Sequence, residues 1–195
     1  MSMFKNLKIG TKLSLGFGTL VLLMLVLAAM SLLRLAAISD AVRNQEMVQQ
    51  QKLDPLFAAR AALAQTGLAA RNAFIFTDPQ QAAKELAILD EQKAIYLAKL
   101  EELTPRFAGN PEFEKVRKGL LVMAGALERP RAFRDAGQMT EFGVFLVNDC
   151  SPLRRQIVAD IDVLLKSVGA EVTAANDTAH GVFDQSLTMV AGVTL

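Results

Sequence analysis

The sequence contains few of the residues that site chemistry most often requires. Among 195 residues it has one Cys, one His, one Tyr and no Trp. A single Cys cannot form an internal disulfide, so any part outside the cytoplasm must be held together by packing alone. A single His leaves little for a metal site or for acid–base catalysis. No nucleophile–base pair, carboxylate pair or metal-spaced cluster occurs either, so the sequence disfavours an enzyme and predicts no metal and no cofactor.

Charge of one sign is also lacking. The 21 Lys and Arg nearly balance the 20 Asp and Glu, which gives a net charge of +1. Nucleic-acid-binding domains usually have a strongly basic surface, so no nucleic-acid partner is expected. An apolar content of 52% with 21% charged residues excludes a disordered chain.

A long charge-free run is the first positive signal. Residues 13–33 (LSLGFGTLVLLMLVLAAMSLL) contain no charged side chain. As a helix they would extend about 32 Å, enough for the roughly 30 Å of a bilayer core. The run exceeds the apolar region of a cleaved signal peptide, which favours an uncleaved anchor. Because Lys5, Lys8 and Lys12 precede it without an acid, residues 1–12 are predicted to be cytoplasmic, with the chain beyond residue 33 outside the inner membrane.

A second, shorter apolar run ends the sequence. Residues 186–195 (SLTMVAGVTL) are uncharged but make only half a span. We expect 187–195 to begin a truncated second transmembrane helix, so that the sequence is a fragment.

Three turns divide the intervening residues into four helices. Asp78 and Asn110 are predicted N-caps, each followed by a Pro at the first helical position, and 135–138 (DAGQ) forms the third turn. The predicted helices are 34–77, 79–107, 111–134 and 139–186, and no run of alternating β-branched residues supports a sheet. Pro130 and Pro152 are expected to kink the third and fourth helices or to break their hydrogen bonding.

Apolar residues recur at steps of three and four in every helix, which is typical of bundles. Helix one follows Leu53, Leu56, Arg60, Leu63, Gly67, Ala70 and Phe74. Helix two follows Leu86, Leu89, Lys93, Tyr96, Leu100, Leu103 and Phe107. Helix three follows Phe113, Val116, Leu120, Met123 and Leu127, and helix four follows Leu153, Ile157, Ile161, Leu164 and Val168. The predicted fold is all-α: a membrane-anchored up-down-up-down four-helix bundle over 34–186, periplasmic, with helices one and four continuous with the transmembrane helices.

Several short motifs occur in a specific order around this framework. They are the opening MFKNLKIGTKLSLGFG, the pair Arg71-Asn72 with the 76–79 hairpin (FTDP), the pair Tyr96-Leu97, and the Gly137 turn followed by Ser151-Pro152. Over essentially its whole length the chain resembles the N-terminal half of a bacterial methyl-accepting chemotaxis protein with a four-helix-bundle ligand-binding domain. The resemblance implies a HAMP linker and a methylated cytoplasmic hairpin beyond residue 195, through which a cytoplasmic adaptor and kinase would act.

Polar residues on an apolar seam indicate where a ligand binds. Arg60, Lys93 and Tyr96 interrupt the seams and Arg71 lies beside one, a combination that suits a small carboxylate. The resemblance likewise implies an amino acid or a di- or tricarboxylate, bound by helix-one arginines and polar groups of helix four. The candidate ligand-binding residues are Arg60, Thr66, Arg71, Lys93, Tyr96, Asn148, Ser151 and Arg155. The alternative is that long cationic side chains only cover the seam, with Arg71 paired to Asp90 or Glu91.

The function predicted is the ligand-sensing part of a transmembrane chemotaxis receptor. Two copies would pair mainly through helix one, and ligand would displace helix four by about 1–2 Å. The acidic pair Asp160 and Asp162 is expected to form an isolated face that tolerates alanine. The sensor region of a transmembrane histidine kinase is the alternative, and a membrane-anchored structural or adaptor bundle is a third possibility.

Overall fold

The computed structural model describes residues 8–193, with side chains for residues 8–174 and 177. Within that part of the chain the backbone is helical and contains no strand. The prediction of an all-α fold with four helices is confirmed, and the arrangement is consistent with a four-helix bundle. The side chains of the predicted second membrane segment, of His180 and of Lys5 lie outside the described residues.

The first predicted helix contains an interruption. Helix α1 (Ile9–Val48) leads into a π-helical segment (Gln49–Leu53), which we call the first π segment, and then into α2 (Asp54–Ile75). The Asp54 N–H donates to the Gln49 carbonyl, five residues back, and Pro55 follows directly. None of the residues of α1 is buried. The helical run Ile9–Ile75 contains a stretch long and apolar enough to cross a membrane.

The second and third helices begin where their predicted caps lie. Helix α3 (Pro79–Leu103) starts after Asp78, whose carboxylate accepts from the Gln80 N–H at 2.9 Å, and it ends in a 3₁₀ turn (Thr104–Phe107). Asn110 accepts from two backbone N–H groups at the start of α4 (Pro111–Ala126). These caps satisfy donors that the first helical turn leaves unpaired.

The third predicted helix is two helices. Helix α4 ends at Ala126 and α5 spans Arg129–Asp135, so 111–134 is not one continuous helix, and the interruption lies next to Pro130, where a break was expected. Pro130 occupies the first turn of α5, where its missing N–H needs no partner. The turn after α5 contains Gly137 at φ 70°, a conformation that favours glycine.

The fourth predicted helix also contains an interruption. It comprises α6 (Met139–Phe145), the second π segment (Leu146–Cys150) and α7 (Ser151–Val193). The Ser151 N–H donates to the Leu146 carbonyl, five residues back, and Pro152 follows. The expected disturbance at Pro152 therefore takes the form of a π segment that ends two residues before it.

The core lies in the compact unit Gln45–Thr178. Helix α2 runs antiparallel to α6 and α7. As residue numbers rise along the α2 side, the numbers of the residues that they contact on α6 and α7 fall. Lys52 contacts Glu171, Arg60 contacts Asp162, a side chain at Gly67 would meet Arg154, and one at Gly143 would meet Phe74. The predicted seams of helices two and three are buried apart from Lys93, which keeps 16% of its side chain exposed.

The buried face of α2 is rotated from the predicted seam. Its centre follows steps of three and four through Leu56, Ala59, Leu63, Thr66, Ala70 and Ala73. Most of these residues are small, which lets neighbouring helices approach closely. The rotation leaves Arg60 at the edge of the core.

Candidate ligand-binding site

Two of the predicted ligand-binding cations have acidic partners within the bundle. Arg60 Nε donates to Asp162 at 2.8 Å, and Lys93 Nζ lies 2.5 Å from Glu128 and 3.5 Å from Asp90. Burial lowers the pKa of Lys93, but the hydrogen bond and charge of Glu128 outweigh it and raise the pKa overall. The expectation that Asp162 belongs to an isolated acidic face is wrong, because its carboxylate pairs with Arg60.

The predicted helix-four residues lie mostly at the surface. Asn148 and Arg155 are exposed, and Ser151 is half-buried. Arg71 is also exposed and forms no ion pair among the described residues; Asp90, a partner considered for it, pairs with Arg131 and Lys93.

Tyr96 is the most unusual polar residue of the core. Its side chain is 0% exposed, and its hydroxyl has no hydrogen-bond partner among the described residues. Desolvation, with smaller contributions from Cys150 and Glu128, raises the pKa of the phenol. The neutral hydroxyl can both donate and accept, and a buried hydroxyl without a partner costs about 1–3 kcal/mol.

Cys150 connects Tyr96 to two arginines. The thiol is 3% exposed and ends the second π segment. Burial raises the pKa of Cys150, whereas the charges of Arg154 and Arg71 oppose that shift. Burial thus favours the protonated, neutral thiol of Cys150.

Arg154 was not among the residues that the sequence singled out. Its side chain lies across Gly67, where a Cβ would overlap the guanidinium and come within 3.0 Å of Arg154 Cδ. We call this space, which a side chain at residue 67 would fill, the Gly67 notch. Arg154 is half-buried and forms no hydrogen bond or ion pair with any described residue. Of the described cations in Gln45–Thr178, it is the one that is partly buried yet has no acidic or carbonyl partner.

The helix-four spacing contains the signal for Arg154. Cys150, Arg154, Ile157, Ile161, Leu164 and Val168 follow steps of 4, 3, 4, 3 and 4, so Arg154 occupies a seam position. The predicted seam used Leu153 at that level; Leu153 and Arg154 are both half-buried, and Leu153 packs against the core. Arg155, which was proposed instead, lies on the exposed side of the helix.

Thr66 completes the arrangement. Its hydroxyl is buried and donates to the Leu63 carbonyl at 2.7 Å, next to the Gly67 notch. We call Thr66, Arg71, Tyr96, Cys150 and Arg154 the core polar cluster. Its residues come from α2, α3, the second π segment and α7; Thr66, Tyr96 and Cys150 are buried, Arg154 is half-buried, and Arg71 is exposed.

The charge of the core polar cluster is positive. The acids that act on it, Glu128 on Tyr96 and Asp149 on Cys150, are exposed and have cationic partners of their own, Lys93 and Arg129. Donors without acidic partners favour a bound anion. Among the residues that the structure describes, no group of three or more His, Cys, Asp or Glu is arranged to hold a metal ion.

The described residues form an all-α unit with antiparallel helices and polar side chains in its core, and a long apolar helix lies near the N-terminus. A family model described as a four helix bundle sensory module for signal transduction matches residues 6–119, more than half of the sequence. The chain therefore belongs to this family, the four-helix-bundle sensory module of methyl-accepting chemotaxis proteins, and the resemblance drawn from the sequence motifs is confirmed.

The family is a signal-transduction module and not a known enzyme family. Together with the apolar helix near the N-terminus, it fits a membrane protein. Searches of curated proteins and of solved structures found no match. The family match includes Thr66, Arg71 and Tyr96, whereas Cys150 and Arg154 lie beyond it.

Proposed function

We propose that the chain is the ligand-sensing, extracytoplasmic part of a transmembrane chemotaxis receptor. The observation that carries the proposal is the sequence order, in which a charge-free apolar helix is followed by the sensory module. A module on the far side of a membrane needs such an anchor to transmit its state. The family description makes a chemoreceptor the first choice over a sensor kinase.

The proposed topology follows the distribution of lysines. Residues 1–12 are cytoplasmic, residues 13–33 cross the inner membrane, and the bundle lies in the periplasm. In the crossing segment Leu13 is 76% exposed and Phe17 is 72% exposed. Exposure of such large apolar side chains is expected where they face lipid.

A reporter fusion tests this topology. An enzyme that is active only outside the cytoplasm, joined after Gly109, is expected to be active because the α3–α4 turn lies in the periplasm. The matched control is the same fusion without residues 13–33, which should be inactive. Activity of a cytoplasm-only reporter at Gly109 would overturn the proposal.

Pairing of two copies is supported by an apolar stripe on α2. Phe57, Leu68 and Ile75 are 52%, 49% and 59% exposed. Nearly whole numbers of helical turns separate them, so they lie on one helix face. We infer that a second copy covers this stripe, which gives a homodimer joined through helix one.

Signalling in this proposal is a change of helix packing. A ligand that contacts α2 and α7 together favours one of their relative positions, and it can shift the equilibrium only by its difference in affinity for the two. A displacement of helix four would then reach a cytoplasmic output part, where an adaptor and a kinase act.

A further inference from the structure

We propose that the fourth bundle helix has two alternative registers at the second π segment, and that Arg129 of α5 holds it in the observed one. In the observed register the extra residue of the helix lies within Leu146–Cys150. In the alternative register residues 146–150 are α-helical and the extra residue lies within 151–156. The proposal goes beyond the sensor function, because it concerns contacts within the bundle and requires neither a ligand nor a membrane.

The first argument comes from the backbone at Pro152. The Ser151 N–H donates to the Leu146 carbonyl, which is the bond of a π turn, and Pro152 has no N–H. In the π register the proline leaves the Val147 carbonyl without its donor, and in the α register it leaves the Asn148 carbonyl without one. Both residues are exposed, so water can bind either carbonyl. The proline ring also crowds the Asn148 carbonyl in the α register, which favours the observed register.

The second argument comes from the side chains that flank the π turn. Phe145 and Cys150 are both buried although they lie five positions apart, and a regular α-helix would turn them about 140° apart. Because the Phe145 ring packs against Phe133, with 5.7 Å between the ring centres, Cys150 is the side chain that leaves the core in the alternative register. Residues 151–156 contain no buried side chain, so they can accept the extra residue without displacing one.

Arg129 contacts the fourth bundle helix before the π turn and within it. Its Nη1 donates to the Asp149 carboxylate at 2.8 Å, and its guanidinium carbon lies 4.4 Å from the centre of the Phe145 ring. A rotation of residues 146–150 against Phe145 would separate Asp149 from Arg129. In the described part of the chain no other side-chain hydrogen bond involves residues 146–150. Arg129 therefore stabilises the observed register specifically.

The first π segment has the same backbone arrangement but a different restraint. There the Asp54 N–H donates to the Gln49 carbonyl and Pro55 follows, just as Pro152 follows Ser151. The Gln49 side chain, however, donates to the Asp54 carboxylate at 2.6 Å, which joins the two ends of that segment within one helix. The second π segment is joined instead to a separate helix, so its register depends on the position of α5.

Helix α5 is in turn attached to the rest of the bundle. Glu128, directly before it, pairs with Lys93 at 2.5 Å, and Arg131 pairs with Asp90 at 2.6 Å, both on α3. Arg134 donates to two carbonyl groups at the end of α2. A shift of α5 against α2 or α3 would therefore reach the fourth bundle helix through Arg129.

The rate at which Cys150 reacts with N-ethylmaleimide reports the register, because the chain has one Cys and its side chain is buried in the observed register. Mass spectrometry follows the reaction with the full chain in detergent micelles. Arg129→Gln should raise the rate at least about threefold, through the combined loss of an exposed ion pair and a cation–π contact. Arg131→Gln is the matched control. It removes a similarly exposed arginine of the same helix, but one whose partner lies on α3, and it should leave the rate close to that of wild type.

Pro152→Ala separates a change of register from local unfolding. Without the ring the α register at 146–150 is no longer crowded, so the alternative register gains population and Cys150 should react faster than in wild type. If Cys150 reacted only through local unfolding, the same substitution would slow the reaction, since removal of a proline stabilises a helix interior. Circular dichroism should show a Tm at or above that of wild type.

Three results would each overturn the proposal. They are equal rates for wild type and Arg129→Gln, equal acceleration by Arg129→Gln and Arg131→Gln, and a rate for Pro152→Ala no higher than that of wild type. If Arg129→Gln does not fold, Arg129→Lys keeps the charge without the planar guanidinium and should still raise the rate. None of these results bears on the topology, which the Gly109 reporter tests separately.

Discussion

Tyr96 determines how the stability of the bundle should depend on pH. Because its folded-state pKa is raised, the folded chain keeps the phenol proton where the unfolded chain loses it, above about pH 10. Proton release then favours the unfolded chain, by up to about 1.4 kcal/mol per pH unit. At pH 8 both states are protonated and no such effect exists.

Unfolding of the protein by guanidinium chloride, measured between pH 8 and pH 11.5, tests this dependence. The free energy of unfolding of wild type should fall more steeply above pH 10 than that of Tyr96→Phe, so the gap between them changes with pH. Cys150, whose pKa is also raised, adds a similar decline in both proteins, and it therefore cancels in the comparison. A gap that stays constant over the whole range would contradict the burial of Tyr96.

At the residue scale the sequence indicated part of the candidate site. Tyr96 was identifiable because it interrupts a regular apolar seam, and that seam is buried as expected. Arg154 was not identifiable from the sequence. The same four apolar residues of helix four, 157, 161, 164 and 168, can be preceded on the seam either by Leu153 or by Arg154 and Cys150. Only the three-dimensional contact with Gly67 distinguishes the two registers.

At the scale of elements, the turns were predictable because their chemistry is local. Asp78 and Asn110 act within three residues of themselves, so the sequence contains the whole capping interaction. The π segments were not predictable in this way. A single extra residue per π turn changes the helical period too little to be visible in a short apolar pattern.

The second π segment predicts which deletion the fourth helix tolerates. Phe145 and Cys150 are both buried although they lie five positions apart, and the π geometry absorbs the extra residue. Deleting exposed Val147 should restore α-helical spacing and change the Tm by only a few degrees, roughly the effect of 1 kcal/mol. Deleting exposed Ala159 is the matched control.

The Ala159 deletion lies within uninterrupted helix between Ile157 and Ile161, two core residues that it would place on different faces. It should lower the Tm by roughly 10 °C or more, since at least one side chain leaves the core. Thermal melts followed by circular dichroism compare the two deletions. Equal losses of Tm would show that the π segment gives no tolerance.

At the scale of the whole molecule, the exposed stripe on α2 makes a prediction about assembly. Leu68→Glu should weaken self-association at least tenfold, because it introduces a charge into the inferred contact between copies. Leu121→Glu is the control, since Leu121 is similarly exposed at 47% but lies on α4. Sedimentation of the full chain in detergent measures both, and equal effects would place the dimer contact elsewhere.

Fold class and family were accessible from the sequence because they depend on features repeated along the chain. Periodic seams, capped turns and one charge-free run each recur or extend over many residues. The ion pairs of Arg60 with Asp162 and of Lys93 with Glu128 depend instead on one rotation of one helix against another. No local pattern specifies that rotation.

The Gly67 notch has a consequence for how this sequence can vary over evolutionary time. A side chain at residue 67 would overlap the Arg154 guanidinium, so that this flexible end of the arginine would have to leave the Gly67 notch. The two positions, far apart in the chain, should therefore change together among homologous receptors.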